Sequence, residues 1–268
     1  MYNLIIRSKN KSCKPLKEIE TEIRTIYRMG STTSTQEILP KRKSNSKKPL
    51  IEINSPEACT ISNDKIKMKC RFTHGKIPTA EWFTIKGYES GRQKVAYWLN
   101  KWNKIIVKHK HSSKGNDIYL IETFEDYEKF VEQAKPYPRD YVFERYYTYS
   151  REYRLHVTRS GCFYANRKML KNDAEVRWHR HDNNSVWIME DNELFNKPNN
   201  WDEIVLACVN ALKAIGLDIG AFDVKVQKSD VQNPKFIILE SNSAPALGDI
   251  TLEKYKNEIT KIIEDGKV

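Results

Sequence analysis

The spacing of hydrophobic residues changes several times along the chain and predicts a protein of mixed α and β structure. Apolar residues three and four positions apart predict helices over residues 17–28, 63–71, 91–102, 123–134 and 200–215, and from about residue 252 onward. Alternating or continuous apolar runs predict strands over residues 2–7, 50–53, 104–108, 117–122, 141–145, 153–158, 162–168, 186–189, 220–227 and 235–240. Residues 30–50 are predicted to form a loop. Because several predicted strands follow one another directly, we expect an α+β fold with antiparallel sheets.

Polar residues mark the ends of two of these predicted helices. Thr123 and Asp126 have the spacing of a capping box, in which two side chains satisfy the free amides of a helix N-terminus. Asn200 and Glu203 repeat that spacing, and Gly216 is the residue type at which helices commonly end. These signals predict helix boundaries at residues 123 and 200 and an end at residue 216.

The composition indicates a folded chain of the cytoplasm. Hydrophobic residues make up 39% and charged residues 30% of the 268 residues, which excludes a disordered chain. The sequence lacks the roughly 18 consecutive apolar residues that span a bilayer, and its start does not resemble a signal peptide. We therefore expect a cytoplasmic protein without membrane contact. The five cysteines form no CxxC pair, so we expect reduced thiols rather than zinc ligands or disulfides.

The formal net charge of +11 favours a polyanionic partner, such as nucleotide phosphates, nucleic acid, or an acidic peptide or protein. Part of the excess lies in residues 41–48, a run of Lys, Arg, Ser and Asn. We interpret this run as a solvated loop, because it has no aromatic residue that could stack on a base. A binding site is the alternative interpretation. Charge alone does not identify the partner, and the oligomeric state is not predicted.

The last two predicted strands carry oxygen-bearing side chains in an apolar context. Asp223 interrupts one strand, and Glu240 and Asn242 end the next. Alternation along a strand places Glu240 and Asn242 on one face, and pairing of the two strands would bring Asp223 to that face. These are the hard ligands that Mg²⁺ prefers. The alternative is that Asp223 is a surface residue of an edge strand and that residues 240–242 form a turn.

This constellation resembles the metal-binding end of the ATP-grasp family. The resemblance rests on Asp223 and on Glu240-x-Asn242, followed by Ser243-Ala-Pro245-Ala-Leu-Gly248. It implies that these three side chains hold two Mg²⁺ ions against the phosphates of ATP, with Glu240 bridging both ions.

Upstream segments resemble further parts of the family in the family's order. Lys65, at the start of a short helix before Gly75-Lys-Ile-Pro78, resembles the first lysine that contacts ATP. Lys108 resembles the second such lysine. The polar segment after Lys108 resembles the small loop that folds over the phosphates, and its implied contacts are Ser112, Ser113 and Gly115. This loop has one glycine where many family members have two or three.

The middle of the chain resembles the part of the family that binds the nucleoside. Residues 144–147 resemble the hinge segment whose backbone contacts adenine, which assigns this role to Glu144, Arg145, Tyr146 and Tyr147. Glu152 matches the carboxylate that binds the ribose hydroxyls, and Arg154 matches an arginine that faces the phosphates or the acyl substrate.

A stretch rich in cations and aromatic residues runs from residue 166 to residue 187. In the family, residues of this region contact the γ-phosphate and the carboxylate that is activated, which implies such roles for Lys168, Arg177 and Arg180. A solvated basic loop is the alternative. His179 and His181 lack a third ligand at a usual spacing, so we do not expect a zinc site here.

The resemblance implies an ATP-grasp fold in which two antiparallel-sheet lobes clamp ATP beside a small N-terminal α/β lobe. The expected parts are the small lobe over residues 1–60, a lid over residues 61–145 and a catalytic part over residues 146–268. The implied activity joins a carboxylate to an amine through an acyl phosphate, with release of ADP and phosphate, as in ribosomal-protein glutamate ligases and D-alanine–D-alanine ligases. The alternative is an inactive scaffold of this fold that binds nucleic acid.

Overall fold

The structure is a computed structural model that describes residues 1–8, 10–43, 45–113, 115–134, 136–180, 183–228 and 231–266. Its first part is a small α/β lobe. The elements of this lobe are β1 (Tyr2–Asn3), β2 (Ile5–Ser8), β3 (Glu20–Thr21), β4 (Arg24–Met29), α1 (Thr35–Ile38), β5 (Leu50–Ile53) and α2 (Pro56–Ser62). Strands β2, β4 and β5 form a parallel sheet with β4 in the centre. Residues 11–18 form a 3₁₀ helix.

The helix predicted over residues 17–28 is wrong, because most of this segment forms β3 and β4. Strand β4 is buried on both faces, from Thr25 to Met29. A central strand of this kind has a continuous apolar run, and its residues three and four positions apart mimic a helical stripe. The segment of residues 30–50, predicted to be a loop, contains the short helix α1. Ser34 and Glu37 form a capping box at the start of this helix, and the sequence analysis does not predict it.

The second part of the chain contains a four-stranded antiparallel sheet of order β6-β9-β7-β8. Its elements are α3 (Lys65–His74), β6 (Trp82–Phe83), α4 (Tyr88–Trp102), β7 (Ile105–His109), β8 (Ile118–Ile121), α5 (Phe124–Gln133) and β9 (Tyr141–Arg145). Helices α4 and α5 pack on this sheet through a largely aromatic core that includes Phe83, Trp102, Tyr127, Phe130 and Phe143. The predicted capping box of Thr123 and Asp126 is confirmed.

The third part contains a five-stranded antiparallel sheet of order β12-β11-β10-β13-β14. Its elements are β10 (Arg151–Thr158), β11 (Gly161–Leu170), β12 (Ser185–Met189), α6 (Trp201–Ile215), β13 (Ile219–Val226), β14 (Phe236–Asn242) and α7 (Asp249–Asp265). Helix α6 covers one face of the sheet through a core that includes Leu155, Ile204, Cys208, Leu212 and Phe222. Gly216 ends α6 with φ 80°, as predicted.

The capping box predicted at the start of α6 is wrong. Asn200 precedes the helix but makes no side-chain bond to a helix amide. Its Nδ2 instead donates to Glu203 and to the carbonyl of Pro234, so the side chain ties the helix start to the loop before β14.

Helix α7 joins the last part of the chain to the first. Its Tyr255, Ile259 and Ile263 lie in one buried cluster with Leu4 and Tyr27 of the small lobe. The two antiparallel sheets and the small α/β lobe are those expected for the fold class. No helix within the described ranges is both long enough and apolar enough to cross a membrane.

Candidate active site

The expected pairing of Asp223 with Glu240 is present on the face of the five-stranded sheet opposite α6. Asp223 of β13 is the direct cross-strand partner of Glu240 on β14, and Ala221 is the partner of Asn242. The register shifts between Asp223 and Val224, so that β14 has an extra residue there. A bulge of this kind increases the local twist and re-aims side chains. The two carboxylates and the amide therefore lie at one end of a strand pair.

Arg154 occupies both oxygens of the Asp223 carboxylate. Its Nε donates to Oδ1 at 2.6 Å and its Nη2 to Oδ2 at 2.7 Å. Burial raises the pKa of Asp223, but the Arg154 guanidinium outweighs this effect and holds the pKa below its usual value. The same guanidinium lies 4.8 Å from the ring centre of Trp187, and the Lys168 ammonium lies 5.0 Å from it. Two cations and an aromatic ring thus adjoin the carboxylates.

The donors at this cluster fit Mg²⁺. The Nδ2 atom of Asn242 is buried and has no hydrogen-bond partner among the described residues. An unpaired buried N–H donor costs about 1–3 kcal/mol, so the Asn242 amide nitrogen calls for an acceptor such as water or a phosphate oxygen, whereas a metal would be held through Oδ1 of the same side chain. The described residues contain no group of three or more His, Cys, Asp or Glu side chains that could hold a metal. Two carboxylates and an amide are instead the small oxygen set that Mg²⁺ completes with phosphate and water.

Lys65 connects this cluster to the second sheet. Its ammonium lies 3.9 Å from Glu240 and donates to the carbonyl of Ser112. Lys65 is the first residue of α3. The Asp64 side chain caps this helix by accepting hydrogen bonds from the amides of residues 66 and 67. Burial lowers the pKa of Lys65, and Glu240 opposes the shift. The segment after β7 and the carboxylate cluster therefore meet at one ammonium group.

Glu144 lies between two further lysines. Its Oε2 is 3.2 Å from Lys69 and 3.3 Å from Lys108, and the side chains of Glu144 and Lys69 are almost completely buried. Lys69 also donates to Thr79 at 2.7 Å. Burial alone would raise the pKa of Glu144, but the two ammonium groups hold it below its usual value. Burial lowers the pKa of Lys69, which Glu144 partly offsets.

Glu152 forms a second buried ionic group, together with Arg180 and Lys225. Arg180 lies 3.4 Å from its Oε2 and also donates to the carbonyl of Ser150 at 2.7 Å. Lys225, the cross-strand partner of Glu152, donates to the carbonyl of Tyr147 at 3.3 Å. Burial raises the pKa of Glu152 and lowers that of Lys225 to about 8.

The segment of residues 144–147 lies beside this second group. Lys225 stacks on the ring of Tyr146 at 4.9 Å, and the Tyr146 hydroxyl donates to the carbonyl of Trp178 at 3.0 Å. Arg145 points elsewhere and forms a half-exposed ion pair with Glu81 at 2.8 Å. Arg145 and Tyr147 also line a cavity of about 550 Å³ with Thr79, Lys235 and Ile237.

Some of the residues named from the sequence do not reach the carboxylate cluster. Arg177 is exposed and donates to the carbonyl of Asn172 within its own loop. Arg180 lies against Glu152 rather than beside Asp223. Ser113 is exposed, and Gly115 adopts a left-handed turn with φ 78°. The neighbouring Lys114 and His181 lie outside the described residues.

The sequence analysis assigns neither Lys69 nor Lys225 to the site, although simple periodicity places both beside predicted site residues. Lys69 lies one helical turn after Lys65, so both side chains share a face of α3. Lys225 lies two residues after Asp223 on a strand, which places both on the cleft face. Lys69 therefore lies close to Lys65, and Lys225 lies close to Asp223.

The small lobe contacts the segment beside the carboxylate cluster. Asn63 donates to the carbonyl of Gly30 at 2.9 Å and accepts from the Ser243 hydroxyl at 3.1 Å. Gly30 has φ 74°, and a Cβ atom there would lie 2.7 Å from Cβ of Ala244. The loop after β4 therefore packs directly on the segment that follows Asn242.

The sequence matches no protein-family model and no curated protein. Solved structures with a similar fold include D-alanyl-alanine synthetase A from Vibrio cholerae, with a TM-score of 0.64 and 12% identity, over 90% of this chain and 76% of that one. D-alanine–D-alanine ligase from Bacillus anthracis, in complex with ATP, has a TM-score of 0.63 and 14% identity, over 91% of this chain and 80% of that one.

The ATP-grasp ligase PsnB, in complex with a phosphomimetic variant of minimal precursor, Mg and ADP, has a TM-score of 0.60. It is 13% identical and is matched over 91% of this chain and 78% of its own. These matches cover nearly the whole chain, at identities at which only the fold is shared. The chain therefore has the ATP-grasp fold.

Proposed function

We propose that the protein is an ATP-dependent ligase that joins a carboxylate to an amine, with an acyl phosphate as intermediate. The observation that carries this proposal is the cross-strand pair of Asp223 and Glu240, with Asn242 beside it and Lys65 of α3 facing it. This pair of carboxylates lies in a cleft that is otherwise lined by cations. Such an arrangement can bind a nucleotide together with its metal ion. The solved ligases of the same fold support this reaction class.

We assign Asp223, Glu240 and Asn242 to two Mg²⁺ ions, with Glu240 shared between them. When bound, the ions would neutralise the charge that develops on the β–γ bridging oxygen of ATP. Each Asp223 oxygen can keep its bond to Arg154 while a second lone pair faces the cleft. Arg154 would therefore hold the carboxylate in position for a metal rather than compete for the whole group.

The cations around the cleft would hold the phosphates and the substrate carboxylate. Lys65 contacts both Glu240 and the Ser112 carbonyl, so we assign Lys65 and the segment that contains residues 112, 113 and 115 to the phosphates. Lys168 adjoins Arg154 at the ring of Trp187 and would orient the carboxylate that attacks the γ-phosphate. Preorganised charges of this kind lower the barrier without a protein nucleophile.

The nucleoside end of the site would lie around Glu144 and Glu152. We assign the backbone of residues 144–147 to adenine and the Glu152 carboxylate to the ribose hydroxyls. Lys108 is held by Glu144 and faces the same cleft. Arg180 contacts Glu152, so we place it at the nucleotide, whereas its position in the sequence had suggested the acyl substrate. Arg177 has no assigned contact.

The proposed reaction balances without a further reagent. An oxygen of the substrate carboxylate attacks the γ-phosphorus of ATP, and ADP leaves with the bridging oxygen. The amine nitrogen then attacks the acyl carbon and loses a proton, and phosphate leaves with the former carboxylate oxygen. The proton released by the amine passes to the leaving phosphate or to water, and no protein group forms a covalent bond in either step.

Nucleotide-dependent stabilisation provides the first test. Saturation to about 100 times the dissociation constant stabilises a protein by about 2.7 kcal/mol. For a chain of this size that is a rise of about 5–10 °C in melting temperature. We expect this rise with Mg-ATP in the wild type and in the surface control Glu253→Gln. We expect a much smaller rise in Glu240→Gln.

Release of ADP in the presence of candidate amino acids and peptides then tests for ligase activity. A protein that shows neither ATP-dependent stabilisation nor ADP release, but binds nucleic acid, would be an inactive scaffold of the ATP-grasp fold instead of a ligase.

A further inference from the structure

One edge of the five-stranded sheet is covered by another segment of the chain, whereas no described strand pairs with the other edge. At the β14 edge, Ile238 donates its amide to the carbonyl of Pro78 at 2.8 Å, and Thr79 forms a β-bridge with Ile238. At the opposite edge, β12 pairs only with β11 among the described residues. Exposed strand edges are surfaces to which another extended chain can pair.

The phase of the ladder shows which backbone groups of β12 face outward. Lys171 donates its amide to the carbonyl of Asn184, so residues 171 and 184 form a hydrogen-bonded pair. Because such pairs alternate in an antiparallel ladder, Val186 and Ile188 also bond to β11. The amides of Ser185, Trp187 and Met189 then point away from the sheet. Within the described ranges, the Met189 carbonyl is used by Asn192, and the Trp187 backbone has no hydrogen-bond partner.

Strand β12 has none of the features that usually protect an edge. Its sequence, Ser-Val-Trp-Ile-Met, contains no charge and no proline. Val186 is 41% exposed and Trp187 is 37% exposed, whereas Ile188 packs against the core on the α6 side. An added strand would cover the exposed parts of Val186 and Trp187, on opposite faces of the sheet.

The charges beside this edge favour an acidic partner. Arg154 and Lys168 lie within about 5 Å of the Trp187 ring on the cleft face. A carboxylate side chain on the cleft face of an added strand would therefore lie beside the Trp187 ring and near the positive charges of Arg154 and Lys168. The formal net charge of +11 acts in the same direction over longer distances.

We propose that the open edge of β12 binds an extended segment of an acidic peptide substrate by strand addition. The inference rests on the proposed ligase function and adds the class of substrate. The sheet places Trp187, Lys168, Arg154 and Asp223 on successive strands β12, β11, β10 and β13, with the facing pair of Arg154 and Asp223 two residues along the strands from the facing pair of Trp187 and Lys168. The bound peptide crosses these strands obliquely and delivers its reacting side chain to the carboxylate cluster.

The sheet geometry sets the length of chain required. Four strand spacings separate an added strand from β13, which is about 19 Å. An extended chain covers about 3.3–3.6 Å per residue, so about six residues link the paired segment to the reacting residue. Peptides with a shorter connection should bind at the edge without reacting.

The probe is the synthetic peptide acetyl-Thr-Glu-Val-Glu-Val-Glu-Thr-amide, titrated calorimetrically into the full chain. Two versions carry N-methyl groups on alternate amides, and a third has Lys in place of Glu. A paired strand directs only alternate amides to its neighbour, so one methylated version should bind at least tenfold more weakly than the other. The Lys version should also bind at least tenfold more weakly than the parent. Equal affinities of the two methylated peptides, equal binding of the Lys peptide, or no binding of the parent peptide would overturn the proposal.

A pair of variants tests the edge from the protein side. Proline at position 187 removes an outward amide without loss of a bond to β11, so the fold should tolerate it. Trp187→Thr removes the same ring and keeps the amide. Trp187→Pro should bind the probe at least fivefold more weakly than Trp187→Thr, and equal affinities would contradict strand addition. ADP release, measured separately with amino acids, distinguishes failure of this inference from failure of the ligase proposal.

Discussion

The buried ammonium of Lys225 should make the stability of the protein depend on pH in the alkaline range. Burial lowers the pKa of this group from the ordinary value of 10.5 to about 8, although Glu152 partly offsets the shift. In the unfolded chain the group regains its ordinary pKa. Between pH 8 and pH 10.5 the unfolded state therefore binds more protons, and stability rises with pH. Below pH 8 this contribution is lost.

The size of the effect follows from the two pKa values. Their difference corresponds to about 3 kcal/mol, of which most should be recovered between pH 7 and pH 10. Lys225→Met keeps the length of the side chain and removes the charge. The wild type should therefore gain about 2–3 kcal/mol relative to this variant over that pH range. Glu152 keeps its contact with Arg180 in the variant, and this contact opposes the rise in the pKa of Glu152 that burial causes.

Urea unfolding of both proteins at pH 7, 8, 9 and 10 measures this difference. Comparison of the two proteins cancels the tyrosines and cysteines that also titrate in this range. Lys254→Met, on the exposed side of α7, is the matched control and should show no change with pH relative to the wild type. A difference between wild type and Lys225→Met that stays constant from pH 7 to pH 10 would refute burial of a charged group at this position.

Three other substitutions test the packing of the small lobe and the binding of the nucleotide. Gly30→Ala should destabilise the fold by about 1–2 kcal/mol or more in urea unfolding, because φ is 74° and the new Cβ would lie 2.7 Å from that of Ala244. Arg28→Met should cost about 3 kcal/mol in the same assay, since the guanidinium is fully buried against Glu52; a loss below 1 kcal/mol would contradict this. Lys108→Ala should weaken ATP binding at least tenfold and should also lower the stability in urea, because it removes one of the two ammonium groups that contact the buried Glu144, whereas the exposed control Lys129→Ala on α5 should bind ATP normally.

The carboxylate cluster could be predicted because it depends on local order along two strands. Alternation placed Glu240 and Asn242 on one face, and a direct connection between neighbouring strands made pairing with Asp223 the simplest topology. The same regularity predicted β9 to the residue, as 141–145. Patterns of this kind predict strands well, because burial of one face of a sheet requires apolar residues at alternate positions.

Other features depend on the packing of distant segments, which periodicity does not encode. The double burial of β4 made a strand look helical, and the parallel order of the small sheet cannot be derived from alternation. The contact between Arg180 and Glu152 joins residues 28 positions apart, and Arg180 itself belongs to no helix or strand. The two residues of β6 are too few to show any period. In each case a tertiary contact, rather than a local preference, determines the position.

The most direct test of the account follows oxygen from the substrate to the product. The carboxylate of the accepted substrate is labelled with ¹⁸O, and the products formed with Mg-ATP and the amine are examined by ³¹P NMR. We predict ADP and inorganic phosphate, with one ¹⁸O atom in the phosphate, and no turnover by Glu240→Gln. Release of AMP and pyrophosphate, or phosphate without ¹⁸O, would contradict attack of the carboxylate on the γ-phosphate and with it the proposed ligase mechanism.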